Sequence, residues 1–299
     1  MESARRAGVS AIRAERASTR GSRTHAERLA ARDGYFGPES VIRRLGNSPL
    51  TPLLGGGAAV LLQVAHPLVA CGVVEHSGYD CDLRRRLTGT LRALYLMAFG
   101  DKAEAEQAGA AVRRAHERVR GTTSTRLGPF PAGTPYSASD AELMLWVHAT
   151  LVHSSLAAYQ QFVQPLTGAE IEQYHREMST VAELFGTPSR VLPRSYREFR
   201  EYFEAQLASR TITVTPPALE VASVILAAPL PVPLRLLAPA HRLATTQILP
   251  PRLRDEYGLR WTALHELALP LAARTLRYGS LPVLAVAARI RTPARAFAA

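Results

Sequence analysis

The sequence contains almost no lysine, and this shortage bears on what the protein binds. Lys102 is the single lysine among the 36 basic residues of the 299-residue chain, and arginine supplies the rest. Phosphate-binding surfaces usually mix the two side chains, so the net charge of +11 is weak evidence for a nucleic-acid partner. The arginines are also not accompanied by an aromatic stacking face or a recognition motif. We therefore expect no nucleic-acid partner.

Cysteine is also scarce. Cys71 and Cys81 lie ten positions apart, with no CxxC motif and no metal-type spacing. This usage argues against a disulfide framework and a zinc site, and it is typical of a reducing compartment. The Arg5-Arg6 pair is not followed by an apolar stretch, so we recognise neither a secretory nor a twin-arginine signal. These features predict a cytoplasmic protein.

The motifs of several common enzyme classes are missing. The chain has no glycine-rich phosphate loop, no GxSxG, no HExxH and no CxxCH for covalent haem attachment. Hydrolases and nucleotide-dependent enzymes of the usual kinds are therefore not expected.

The composition divides the chain into a tail and a body. Residues 1–33 carry eight arginines among alanines and serines and have almost no large apolar side chain, which predicts a disordered basic tail. Residues 34–299 contain repeated helix signals, such as Asp101 with Glu104, Thr167 with Glu170, Ser195 with Glu198, and Thr215 before Pro216. We expect one all-α domain of many helices. Residues Arg210–Val214 alone have a strand composition.

Two apolar stretches resemble membrane segments in composition. Leu45–Val74 contains no charged side chain and exceeds the roughly 20 residues that cross a bilayer. Gly55-Gly56-Gly57, Gln63, His66 and Pro67 interrupt it, so we interpret it as a buried helix with a polar face. In Val221–Leu237 three prolines each remove a backbone donor, which predicts a bent core segment or a surface-seeking loop.

Histidines are the main candidates for cofactor ligation. His116 lies one turn from Val112 and one from Val119, so it belongs to the apolar stripe of its predicted helix. A satisfied core histidine is the ordinary explanation for such a position, and a ligand is the alternative. The same choice applies to His148 on a nearly all-apolar helix. His66 lies in a charge-free segment, where its imidazole needs a hydrogen-bond partner or a metal.

Other polar groups occur at helical spacing. Arg86 and Thr90 are four residues apart, so a cation and a hydroxyl share one helix face and could recognise an anionic or oxygen-bearing ligand. A charged first turn with a core threonine is the simpler interpretation. Glu172 and His175 have the ExxH spacing of di-iron bundles, but no second such element exists. We therefore interpret them as a solvated pair.

Short motifs in one order resemble the MpaB-type oxygenase and rubber oxygenase catalytic domain. They extend over about residues 37–261, and their number and order carry the resemblance. The motifs are Leu54-Gly55-Gly56-Gly57 with Leu62-Gln63-Val64-Ala65-His66-Pro67-Leu68-Val69-Ala70, Glu75-His76-Ser77, Arg86-Leu87-x-x-Thr90, Phe99-Gly100, His116-Glu117-Arg118-Val119-Arg120-Gly121, Leu145-Trp146-Val147-His148-Ala149-Thr150-Leu151, Leu249-Pro250-Pro251 and Tyr257-Gly258-Leu259.

The resemblance implies a helical fold that holds non-covalent haem b, with one histidine as the axial iron ligand. It assigns that role to His116, with His148 as second choice, and His66 is a further candidate for contact with the cofactor. Arg86 and Thr90 match the family's arginine and threonine near the haem, and Glu75 matches an acidic residue proposed as a base. Rubber-cleaving members have a lysine before the motif threonine, where this chain has Gly89.

We therefore expect a haem b-dependent oxygenase that uses dioxygen on a small apolar metabolite or lipid, not on polyisoprene. The alternative is a non-enzymatic helical module that binds membranes or hydrophobic ligands, since the basic tail and the proline-interrupted segment suit peripheral membrane contact. The sequence does not indicate an oligomeric state.

Overall fold

Helices make up most of the structure. The structure is a computed structural model that describes residues 33–76, 81–227, 235 and 237–279, with the backbone alone for residues 81–88 and 279. Within these ranges the all-α prediction is confirmed. The twelve helices found there are α1 Val41–Asn47, α2 Leu50–Val64, α3 Pro67–His76, α4 Cys81–Phe99, α5 Lys102–Glu117, α6 Ala141–Phe162, α7 Gly168–Phe185, α8 Tyr196–Ala208, α9 Pro216–Leu226, α10 Ala238–Ile248, α11 Pro251–Glu256 and α12 Ala263–Gly279.

One small sheet lies between α5 and α6. Its strands, β1 Arg120–Thr122 and β2 Pro135–Ser137, pair antiparallel. The segment with a strand composition, Arg210–Val214, is not a strand. The Thr213 amide donates to the Ala65 carbonyl over 2.8 Å, and the Val214 amide donates to the Glu256 carboxylate over 2.7 Å. The amides of Thr213 and Val214 thus have hydrogen-bond acceptors without pairing to a neighbouring strand.

Helix starts follow the predicted capping signals. Asp101 and Thr167 each form a complete capping box with the glutamate three residues later. Ser195 accepts a hydrogen bond from the Glu198 amide, but the Glu198 carboxylate accepts from the Arg194 amide and not from that of Ser195. The third box is therefore half formed. At the fourth start, helix α9 begins without a side-chain cap.

Helix α2 occupies the centre of the core and packs on α6, α9 and α10. Two glycines bring its backbone close to its neighbours. A Cβ added at Gly55 would lie 2.7 Å from the Ser154 carbonyl, and one at Gly57 would lie 2.4 Å from the hydroxyl of Thr245. Helix α2 therefore contacts α6 at Gly55 and α10 at Gly57. A larger residue at either position would force the neighbouring atoms to move.

The uncharged stretch folds into two helices with a sharp bend between them. Helix α2 and helix α3 meet at an angle of 104°. In the described ranges no single helix is both long and apolar enough to cross a membrane, and only this bent pair meets the requirement when taken together. Leu54, Leu61 and Leu62 have no exposed surface, so α2 is a buried core helix, as predicted.

Several predicted features lie partly or wholly outside the described residues. Of the basic tail, only Asp33 is described, and its carbonyl accepts a hydrogen bond from the Lys102 amide. The proline-interrupted segment is described as far as Ala227 and again from Leu237, apart from residue 235.

Helices α4 and α5 form an antiparallel hairpin that carries several of the predicted site residues. The chain reverses at Gly100, whose amide donates to the Leu96 carbonyl, and the Asp101 box starts α5 directly afterwards. The other side of α5 packs on α7, where a Cβ added at Gly109 would lie 2.5 Å from the Leu184 carbonyl. The hairpin is thus held firmly at the turn and along the first half of α5.

Candidate active site

In both hairpin helices the side that is buried near the turn becomes exposed toward the opposite end, which we call the open end of the hairpin. On α4, Met97 and Ala93 are buried, but Thr90, which continues the same face, is exposed. On α5, Ala105 is fully buried, but Val112 and His116 further along the same face are only half-buried. Beyond Ala93 and Gly109 the core-facing surfaces of the hairpin are therefore partly exposed, and we call this uncovered region the hairpin gap.

The predicted site residues of the two helices lie at this open end. Thr90 lies nine residues before Phe99, about 14 Å along the helix axis at 1.5 Å per residue. By the same rise, Arg86 lies about 20 Å before Phe99, and His116 about 21 Å after Lys102. Arg86 and His116 therefore lie at about the same distance from the turn of the hairpin. The side chain of Arg86 lies outside the described part.

Space is available beside the motif threonine. A Cβ added at Gly89 would meet no atom within 4 Å, and Gly89 and Thr90 are both exposed. The position that holds a lysine in rubber-cleaving members of the resembled family is therefore open in this chain.

A second group of polar side chains surrounds Glu75 at the end of α3. Tyr136 from β2 donates its hydroxyl to Glu75 Oε2 over 2.5 Å, and Cys71 Sγ donates to Glu75 Oε1 over 3.0 Å. The Tyr136 hydroxyl also lies 3.2 Å from His76 Nε2. Both carboxylate oxygens of Glu75 thus have a donor, and two elements, helix α3 and strand β2, contribute to one hydrogen-bonded cluster.

The protonation of this cluster follows from its contacts. The hydrogen bond from Cys71, and after it that from Tyr136, hold the pKa of Glu75 below its usual value. Burial raises the pKa of the Cys71 thiol to about 12, and the hydrogen bond to Glu75 acts in the same direction. Burial also raises the pKa of Tyr136 well above its usual value. At neutral pH the cluster is an ionised carboxylate held by two protonated donors.

The Glu75 cluster lies next to the end of α5. A Cβ added at Gly72 would lie 3.3 Å from Val119 Cγ1 and 3.6 Å from the Tyr136 ring. The Val119 amide donates to the His116 carbonyl over 2.9 Å. Since Glu75 follows Gly72 by three residues, it continues the same face of α3. The structure therefore brings Glu75 to the end of α5 at which His116 lies.

His66 lies elsewhere. It sits at the bend between α2 and α3, nine residues before Glu75 and thus about 13 Å from it along the axis of α3. Its ring centroid lies 5.6 Å from that of Phe130, and burial lowers its pKa to about 4. Its Nδ1 atom is buried without a hydrogen-bond partner among the described atoms. His66 is a neutral histidine that packs at the opposite end of α3.

His148 lies in the closely packed core on α6. It is 5% exposed, and burial, followed by the charge of His175, lowers its pKa to about 3. Its neighbours Ala149 and Val152 on the same helix have no exposed surface. The structure thus separates the two candidate axial histidines, with His148 enclosed by core side chains and His116 at the gap.

The ExxH pair on α7 differs from the predicted solvated pair. His175 is 1% exposed, and its Nε2 atom lies 3.0 Å from the Pro193 carbonyl oxygen. Glu172 accepts a hydrogen bond from the Tyr196 amide. The interpretation as a solvated pair is therefore wrong, because the pair joins α7 to the start of α8. In the part of the chain that is described, no group of three or more His, Cys, Asp or Glu could hold a metal ion.

Two members of the Glu75 cluster, Cys71 and Tyr136, are not among the predicted site residues. Cys71 lies four residues before Glu75 in one helix, so their contact follows from helical spacing and could have been found. Tyr136 comes from a three-residue strand 61 positions away, and no sequence pattern links it to Glu75.

Comparisons with known proteins identify the sequence family and the fold. The profile of the family described as "ER-bound oxygenase mpaB/B'/Rubber oxygenase, catalytic domain" matches residues 43–278. Among solved structures, latex clearing protein in the closed state is similar with a TM-score of 0.58 and 19% sequence identity. The similarity covers 83% of this chain and 70% of that one. A search of curated proteins found no significant match.

Proposed function

Because the chain belongs to the mpaB and rubber oxygenase catalytic-domain family, we propose that it is a haem b-dependent oxygenase acting on a small apolar metabolite or lipid with dioxygen. The observation that carries this proposal is the gap at the open end of the α4–α5 hairpin. It combines a half-buried imidazole from α5 with an exposed hydroxyl from α4, and the Glu75 cluster lies beside it.

The residues at the gap fit a haem. Histidine is a common protein ligand of haem iron, and His116 lies where the core stripe of α5 loses its cover. The open space beside Gly89 leaves room next to α4. Bound haem would supply an iron that binds and activates dioxygen. We assign the role of iron ligand to His116, because His148 is enclosed by core side chains.

Arg86 and Thr90 would contact the cofactor from α4, whereas His116 would contact it from α5. The two positions are four residues apart in α4, a spacing that places them on one face of the helix. An arginine here would pair with a propionate carboxylate, and the threonine hydroxyl would donate to an oxygen atom of the bound ligand. Both roles are inferred from the positions of the two residues along the backbone of α4.

Glu75 is the candidate base of the reaction. Its two donors keep it ionised, so it can accept a proton from a substrate at neutral pH. The Tyr136 hydroxyl fixes the orientation of the carboxylate, and its own high pKa keeps it a donor. Val112 and Leu94 are half-buried apolar side chains on the same two helices, and such surfaces favour an apolar substrate.

The absorption spectrum of the purified full chain tests this proposal. We expect a Soret band after expression with ample haem precursor, and a pyridine haemochrome of the b type. His116→Ala should lose or strongly shift the band and keep the helical circular dichroism signal. His148→Leu and His265→Ala should keep the band, because one lies in the core and the other lies on α12.

Two results would overturn the proposal. A colourless wild-type protein under these conditions would favour the alternative, a helical module that binds hydrophobic ligands without catalysis. A His116→Ala spectrum identical to that of the wild type would remove His116 from the iron, and a lost band in His148→Leu would transfer the axial role to His148.

A further inference from the structure

Helix α12 has two apolar faces, and among the described residues only one of them packs on the protein. Its inner face carries Ala273 and Leu276, which are buried against α6 and α10. Arg277 reinforces this contact by donating to the backbone carbonyls of Gln160 and Gln161 at the end of α6, each over 3.0 Å. The orientation of the helix about its own axis is thus set by its inner face.

The outer face carries a stripe of large apolar side chains in solvent, which we call the α12 stripe. Its members are Leu264, Leu267, Leu271 and Tyr278, and they are 77%, 74%, 67% and 72% exposed. At 100° per residue these four positions fall within an arc of about 60°. Scattered exposed leucines are ordinary, but four on one side of one helix form a continuous patch of the kind that marks an interaction surface.

The sequence from residue 267 onward is basic. Glu266 is the last acidic residue of the sequence, and the 33 residues after it contain five arginines and no Asp or Glu. Arg274 is exposed and lies about 50° from the centre of the stripe, so its guanidinium borders the leucines. The Glu266 carboxylate accepts a hydrogen bond from the Trp261 indole, on the part of the chain leading into the helix.

A leucine stripe edged by arginine suits an anionic lipid surface. Helices that lie in the bilayer interface bury their apolar face among the acyl chains and keep arginines at the level of the headgroups. Anionic lipids also attract the basic residues, and this attraction weakens as salt is added. A second copy of the chain would meet the stripe with the same positive charge, which disfavours self-association.

We infer that the α12 stripe docks the protein on membranes that contain anionic phospholipid, with Arg274 at its edge facing the headgroups. This surface is separate from the hairpin gap, and the docking does not require a bound cofactor.

Vesicle flotation of the full chain tests the inference. The probes are vesicles of equal parts phosphatidylcholine and phosphatidylglycerol, and vesicles of pure phosphatidylcholine. We expect the wild type to float with the mixed vesicles, to float poorly with the neutral ones, and to be released when NaCl is raised. The double variant Leu267→Asp/Leu271→Asp should bind at least about tenfold more weakly, because it places two charges among the acyl chains. Both positions are exposed, so folding should not suffer.

A matched control uses the same substitution on another helix. Leu219 on α9 is 47% exposed, and Leu219→Asp should float like the wild type. The inference is overturned if the wild type does not float, or if the double variant floats equally well. A dimer in sedimentation experiments that the double variant dissociates would assign the stripe to a second copy.

Discussion

The hydroxyl of Tyr136 lies 2.5 Å from Glu75 Oε2, although the two residues are 61 positions apart in the sequence. Tyr136 is 5% exposed, and its β2 strand is only three residues long, yet its hydroxyl reaches the last turn of α3. A Cβ added at Gly121 of the partner strand would lie 2.6 Å from this hydroxyl. The small sheet therefore holds the phenol in place against the carboxylate.

Tyr136→Phe removes one of the two donors to Glu75 and keeps the shape of the ring. Since this hydrogen bond stabilises the carboxylate, the variant should raise the pKa of Glu75. If ionised Glu75 is the base, the acidic limb of the pH–rate profile should move to higher pH, which turnover measurements between pH 4 and 8 would detect. We also expect a loss of about 1 kcal/mol in the free energy of unfolding.

Tyr35→Phe is the matched control for this experiment. Tyr35 also donates its hydroxyl to a glutamate, Glu106, over 2.9 Å, but this pair lies on the surface away from the Glu75 cluster. The control should leave the pH–rate profile unchanged. A Tyr136→Phe profile that coincides with the wild type would contradict the role of Tyr136 as a positioning residue.

Gly57→Ala should destabilise the core where α2 crosses α10. Its Cβ would lie 2.4 Å from Thr245 Oγ1 and 2.9 Å from the His241 ring, so the helices must separate. We expect a loss of about 1 to 3 kcal/mol in the free energy of unfolding, measured by urea denaturation. Gly56→Ala is the control, since its Cβ would meet nothing within 4 Å. It should raise the stability by up to about 1 kcal/mol through helix propensity, and equal losses in both variants would refute the packing argument.

Glu170 should contribute to the loss of stability in acid. The backbone amide of Thr167, and next the guanidinium of Arg44, lower its pKa from 4.5 to about 2. A carboxylate with a lowered pKa contributes stability that is complete above about pH 4.5 and disappears as the pH falls toward 2. Glu170→Gln should therefore be less stable than the wild type at pH 6, and the difference should shrink by pH 3. Urea midpoints at both pH values measure it.

The control for Glu170→Gln is the same change at Glu39, an exposed glutamate before α1. It should give a smaller difference between the two pH values. A constant difference between wild type and Glu170→Gln across this pH range would show that the capping box does not act through the charge of its glutamate.

His148 should make the fold less stable as the pH falls below neutrality. Its burial lowers its pKa from 6.5 to about 3, so between these values the unfolded chain binds a proton that the folded chain does not. The stability contributed by the neutral imidazole is complete above about pH 6.5 and is lost progressively below it. His148→Leu should flatten the decline in urea midpoint between pH 7 and 5. A decline as steep as that of the wild type would contradict the buried neutral state.

Local patterns predicted most of the helices, because their signals lie within a few residues. Asp101 and Glu104 are three apart, and so are Thr167 and Glu170, so each capping box is encoded in one turn. The strand composition of Arg210–Val214 was misleading because it reflects side-chain preference alone. A strand also needs a neighbour, and here the amides instead meet Ala65 and Glu256.

The candidate site was harder to predict, for a physical reason. Helical periodicity indicates which side of α5 faces inward, but it does not indicate where neighbouring elements stop covering that side. The half-buried state of His116 depends on that tertiary cover. The same limit applies to Tyr136, whose contact with Glu75 depends on how β2 packs against α3.

The hairpin is fastened at its turn and uncovered at its other end, and under the proposed function this asymmetry would link cofactor supply to protein turnover. A molecule that occupies the gap and binds only the folded chain adds its binding free energy to the cost of unfolding. Chains without an occupant would melt at a lower temperature and spend more time in states that proteases can cleave. A cell short of that occupant would therefore degrade the empty protein faster and keep mainly the loaded copies.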